Sequence, residues 1–176
     1  MSKPDSLLAR LVEHHVEFVV VGGYAAVAHG VTLLTQDIDV CCRFTRENLA
    51  KLEESLAGLH PAHRMMTQHR PFNLARDWTP DLKNLYLETD WGQLDCLGSV
   101  LAVGDFDAVH EQSIEVELPT GRCRILGIDS LIKTKKAMGR LHDKVAVMQL
   151  MAIQERQRPK KPVTSKPKNK RSSGLP

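Results

Sequence analysis

Apolar positions recur along the chain with two alternating periods. Residues 5–16 set Leu7, Leu8, Leu11, Val12 and His15 at helical spacing. Asp5 or Ser6 can cap the first turn, which predicts an amphipathic helix. Phe18-Val19-Val20-Val21 is unbroken apolar sequence, the pattern of a fully buried strand over 18–22. Gly22 and Gly23 interrupt it. Tyr24 to His29 is alanine-rich and predicts a short helix over 23–29, with Gly30 placed for a left-handed stop. Strict alternation then returns in Asp37-Ile38-Asp39-Val40, the start of a strand over 37–42. On a strand this period points both carboxylates to one face and both aliphatics to the other.

Helical spacing resumes from Arg46 to Leu59, where Leu49, Leu52, Leu56 and Leu59 form a stripe. Residues 60–80 show no sustained period and predict a basic surface loop. Its histidines, His60, His63 and His69, lack the spacing of a compact zinc motif. Residues 84–89 and 93–97 predict a hairpin turning at Asp90-Trp91-Gly92. A polar connection or short helix over 105–112 leads to strands at 114–118 and 122–126, joined by Pro119-Thr120-Gly121. Asp129 can cap a last helical region over 131–150. There Met138, Leu141, Val145, Met148 and Ala152 keep a 3-4-3-4 spacing, expected to face the core. From Arg158 onward the chain has four prolines, many lysines and few large apolar residues, which predicts a disordered tail.

Composition changes this picture at two points. The 176 residues suit one domain, with 42% apolar and 26% charged residues. The net charge of +3 conceals an uneven distribution. Residues from Glu155 to Pro176 hold eight Lys or Arg and one acid, a balance of +7, which leaves −4 on residues 1–154. The expected organisation is a folded domain over 1–156 and a basic tail over 157–176. Without a run of 18 apolar residues or a signal-peptide core, the expectation is a cytoplasmic protein without a membrane span. Cys41, Cys42, Cys96 and Cys123 show no C-x-x-C spacing and read as buried small hydrophobes in a reducing compartment.

The candidate chemistry lies between Phe18 and Val40. A Gly-Gly turn between strand and helix lets a backbone approach a ligand closely and points free N–H groups at it, which suits phosphate. Paired carboxylates at Asp37 and Asp39 repel unless a cation joins them, and oxygen donors favour Mg²⁺ or Mn²⁺ over zinc. Adjacent phosphate and metal sites describe a protein that handles a nucleoside triphosphate. Asp95, a carboxylate within a short apolar strand, needs neutralising in the same way.

Gly22-Gly23-Tyr24-Ala25, His29-Gly30 and Thr35-Gln36-Asp37-Ile38-Asp39 together resemble the nucleotidyltransferase superfamily, whose fold is that of DNA polymerase β. Within it the chain is most similar to small bacterial proteins related to AbiEii-type toxins of toxin–antitoxin systems. The likeness covers roughly residues 18–150. It implies an α/β (α+β) domain with a mixed β-sheet flanked by helices. It also implies transfer of a nucleoside monophosphate from an NTP such as ATP to a hydroxyl, with release of pyrophosphate. In the family's terms Asp37, Asp39 and Asp95 would be the catalytic and metal-binding residues. Gly22, Gly23, Lys135 and Arg140 would bind the nucleotide, with Asp143 in the same C-terminal segment. Relatives often carry Arg where this chain has Leu33, and Gly23 replaces the Ser of many members. The acceptor stays open between RNA such as tRNA, a protein hydroxyl and a small molecule. Two other readings stand beside this one: a degenerate nucleotide- or partner-binding module, and an RNA-binding protein led by its basic tail.

Overall fold

The computed structural model describes residues 3–33, 35, 37–66, 68–118 and 121–157. Leu34, Gln36, Thr67, Pro119, Thr120 and the predicted tail from Arg158 lie outside them. The chain runs α1 (Lys3–Glu13), β1 (Phe18–Val20), α2 (Gly22–Ala28), β2 (Ile38–Cys42), α3 (Arg46–Ser55), β3 (Ala62–His63) and α4 (Leu74–Asp77). It continues as β4 (Asn84–Thr89), β5 (Gly92–Leu97), β6 (Ser99–Val100), β7 (Gly104–Asp105) and α5 (Phe106–Glu111). Last come β8 (Ser113–Leu118), β9 (Gly121–Leu126), α6 (Ile128–Met138) and α7 (Leu141–Gln157).

Seven strands form one mixed sheet in the order β3-β4-β5-β2-β1-β9-β8, and β6 pairs with β7 separately. The apolar run of β1 is central, antiparallel to β2 and parallel to β9, and Val19 and Val20 are fully buried. β2 lies parallel to β5, with Asp39 opposite Asp95. This register matters most for function. It places carboxylates more than fifty residues apart in sequence on one face of adjacent strands. Leu7, Leu8 and Leu11 of α1 are fully buried, as are Leu49, Leu52 and Leu56. α1 packs against α3 and β9, while α2 packs on α6 and α6 on α7. The architecture is the expected mixed sheet flanked by helices. The four cysteines are all buried and unpaired.

The structure corrects the reading of two segments. Residues 60–80 are not one surface loop, because they contribute edge strand β3 and helix α4. His63 is buried there, its Nε2 2.7 Å from Asp77 Oδ2. Burial would raise the Asp77 carboxyl pKa, but hydrogen bonds from Arg76, the Asn73 N–H and His63 hold it well below the ordinary range. The last helical region resolves into two helices, α6 and α7, broken at Gly139, which takes φ +68. The 3-4-3-4 stripe faces away from the core. Leu141 is 80% exposed, Met148 73% and Val145 55%, whereas Asp143, Ala146, Val147 and Leu150 are buried. The period shows that α7 has an apolar face. It does not show which of two apolar faces lies inward.

Candidate active site

β1 ends at Val20, and after Val21 the chain turns into α2 at Gly22 with φ +61, where a side chain is disfavoured. Space reinforces that constraint. A Cβ on Gly22 would lie 2.0 Å from Asp39 Oδ2, so the missing side chain is the room the carboxylate occupies. A Cβ on Gly23 would come within 2.9 Å of Thr35 Oγ1. The Val21 N–H donates to the Asp39 carbonyl at 2.9 Å, and the Gly23 N–H donates to the Asp39 carboxylate. The glycine turn and the acidic strand thus form one interlocked unit. His29 ties its far side, with Nε2 donating to the Leu126 carbonyl at 2.9 Å.

Asp39 and Asp95 are half-buried side by side, while Asp37 is exposed at the edge. Burial pushes the Asp39 carboxyl pKa up, and neighbouring Asp95 pushes it further. The Gly23 N–H opposes this, Asp37 adds to it, and Lys135 opposes it. Lys135 is therefore the lysine turned inward. It is buried and its Nζ lies 3.3 Å from buried Asp143 Oδ1, whereas Lys133 and Lys136 are exposed. Asp143 Oδ2 is buried with no hydrogen-bond partner. Arg140 is exposed at the α6–α7 junction, where its carbonyl accepts from the Asp143 and Lys144 N–H groups. It is not among the charges that shift Asp39. Leu33 packs beside the turn, 3.8 Å from the position a Gly23 Cβ would take.

Sequence reasoning missed Arg64. This residue follows β3, and its guanidinium Nη2 donates to Asp95 Oδ1 at 2.5 Å. The bond to Asp95 raises the Arg64 pKa against the effect of burial, and the charges of Asp37 and Asp39 add to it. The guanidinium carbon lies 6.0 Å from the centroid of the Tyr86 ring, and Tyr86 stands opposite Asp95 across the β4–β5 pair. No signal in the sequence pairs residues 64 and 95, because only the β3-β4-β5 ladder brings them together.

The donor set suits a hard divalent cation, which would offset the cost that burial and the neighbouring carboxylates place on an ionised Asp39. Asp37 and Asp39 fit that role. Arg64 engages Asp95 through Oδ1, so Oδ2 is the oxygen with which Asp95 can join them. Among the described residues no three His, Cys, Asp or Glu side chains already converge as ligands. A cavity of about 470 Å³ lies at the opposite ends of β1 and β2, lined by Phe18, Arg43 and Phe106 among others. Its arginines are already engaged: Arg43 by Glu17 and Asp107, Arg122 by Glu115 and Glu117, and Arg124 by Ser113. The volume therefore does not mark the chemistry.

The mixed sheet flanked by helices has counterparts among solved structures. Two solved structures share the fold. One is TM1012 from Thermotoga maritima, provisionally assigned as a nucleotidyltransferase. It is 16% identical with a TM-score of 0.52, over 86% of this chain and 96% of that one. The other is ANT(2")-Ia in complex with adenylyl-2"-tobramycin, 16% identical with a TM-score of 0.51, over 86% and 94% of the two chains. No family model and no curated protein matches the sequence. No described helix is long and apolar enough to cross a membrane.

Proposed function

We propose that the chain is a metal-dependent nucleotidyltransferase that moves a nucleoside monophosphate from an NTP to a hydroxyl acceptor. The observation that carries this reading is the Asp39–Asp95 register beside a glycine turn shaped around Asp39. The acceptor oxygen attacks the α-phosphorus, the bond to the bridging oxygen of the β-phosphate breaks, and pyrophosphate leaves. Asp95 takes the hydroxyl proton. Arg64 holds it through Oδ1, which orients the carboxylate and leaves Oδ2 to act. Gly22 and Gly23 let Asp39 and Thr35 close against the turn, and the triphosphate would lie over the backbone beside them. Lys135 supplies positive charge beside the carboxylates, and Arg140, exposed at the α6–α7 junction, offsets charge on the leaving pyrophosphate. Asp37 and Asp39 would hold Mg²⁺ or Mn²⁺, which supplies electrophilic polarisation of the phosphate. The motif from Gly22 to Asp39 supports kinship with AbiEii-type proteins. The basic tail over 157–176 supports an RNA acceptor more than a small molecule or protein hydroxyl.

Incubation of the protein with each α-labelled NTP, Mg²⁺ and cell extract tests the reading. Label should move to an acceptor, and Asp37→Asn and Asp39→Asn should abolish transfer while circular dichroism stays unchanged. Transfer by the double variant at the wild-type rate would overturn the assignment. The Arg64–Asp95 contact favours a second reading, a nucleotide-binding module that does not turn over. Nucleotide binding by titration without transfer, and transfer gained on Arg64→Gln, would select it.

A further inference from the structure

The outward face of α7 has no role in the proposed reaction, yet it is built as carefully as the inward one. Leu141, Val145, Met148 and Ala152 succeed one another at spacings of 4, 3 and 4, the seam pattern of paired helices. Met151 flanks them, 46% exposed, and Met138 at the end of α6 extends the patch beside Leu141. Leu141 is 80% exposed, Met148 73% and Val145 55%, and a contiguous apolar patch of this kind is a mark of an interaction site. A helix apolar on both faces is normally buried on both.

We propose that this face is the dimer interface of the chain, with α7 of one copy packed antiparallel on α7 of a second. Three features select a second copy as the occupant. The following segment, 158–176, supplies only Val163 and Leu175 as large aliphatic residues and cannot cover the seam. A two-fold axis through Met148 sets Met148 against itself and Val145 against Ala152 and Met151, so the face is its own complement. Lys144 and Glu155 lie on the same flank of the helix, eleven residues or three turns apart. Antiparallel pairing therefore brings Lys144 of each copy within reach of Glu155 of the other, twice over, and opposes the two helix dipoles. Parallel pairing would set Lys144 against Lys144. The inward face stays on its own core in the dimer, with Gln149 Oε1 accepting from the Thr32 N–H at 2.8 Å. The inference stands independently of the reaction proposed above.

Sedimentation and light scattering of the full chain over about 1–100 µM test it. The expected result is a concentration-dependent shift from the 19.7 kDa monomer toward twice that mass. Met148→Glu places two like charges on the axis and should raise the dissociation constant by at least about tenfold without changing the circular dichroism. Lys144→Glu and Glu155→Lys should each weaken the dimer, and the double exchange should restore it. A monomer throughout would overturn the proposal and assign the face to a different protein. A dimer indifferent to Met148→Glu would place the interface elsewhere. A dimer that both single exchanges weaken and the double exchange does not restore would refute the antiparallel register.

Discussion

Gly22→Ala should cost far more than an ordinary glycine replacement, and the excess measures how tightly the turn and Asp39 interlock. Two terms contribute. The first is backbone strain, because Gly22 holds φ +61. Alanine in the left-handed region costs about 1–2 kcal/mol, offset by about 0.4–1 kcal/mol from the stiffer unfolded chain, for a net of about 1 kcal/mol. Gly58 provides the control. It has φ +77 and nothing within 4 Å of an added Cβ, so Gly58→Ala should show the strain alone. The second term exists only at Gly22, where the new carbon meets Asp39 Oδ2 at 2.0 Å, Cγ at 2.7 Å and Cβ at 2.8 Å. The carboxylate must move, straining the Gly23 N–H bond, and overpacking of this kind costs about 1–3 kcal/mol. Gly22→Ala should then lose about 2–4 kcal/mol, or about 5–12 °C in Tm for a domain of this size. Urea unfolding in EDTA reads both variants. Asp39→Gly removes the obstructing side chain, so the Gly22→Ala/Asp39→Gly double variant should recover about 1–3 kcal/mol relative to additivity. Equal losses for Gly22→Ala and Gly58→Ala, or strict additivity in the cycle, would refute the interlock.

Two further outcomes follow from charge and burial. The folded-state pKa of Asp39 lies above its unfolded value, so the folded protein holds this proton more tightly. Its contribution is greatest at low pH and is lost as pH rises from about 4 through the folded pKa. Metal-free Asp39→Asn should therefore be more stable than wild type at pH 7, with the advantage fading toward pH 4 in a urea series. A wild-type advantage at pH 7 would contradict this. Lys135→Met should cost about 3–5 kcal/mol because it strands the Asp143 carboxylate, and Asp143→Leu in the same chain should recover most of it. Lys133→Met, at an exposed position, should change stability by no more than about 0.5 kcal/mol.

Local order was legible because its causes are local. The apolar run of β1, the leucines of α1 and α3, and the alternating Asp-Ile-Asp of β2 each satisfy a backbone period within their own segment. Hence the strand–turn–helix around Gly22 and Gly23, and the hairpin over 84–97, could be drawn before any coordinates. His29 carried a signal as part of a motif, but its bond to the Leu126 carbonyl did not. What only the tertiary structure decided is which separated residues meet. The parallel β2–β5 register sets Asp95 beside Asp39, and the β3–β4–β5 ladder delivers Arg64 to Asp95 from a segment without periodicity. Packing of α6 buries Lys135 and leaves Lys133 and Lys136 in solvent, although the three are chemically alike. The apolar stripe on α7 shows the limit most clearly. Leu141, Val145 and Met148 obey the same period as Ala146, Val147 and Leu150, and hydrophobicity has no direction of its own. Only the arrangement of the neighbouring elements determines which face turns toward them.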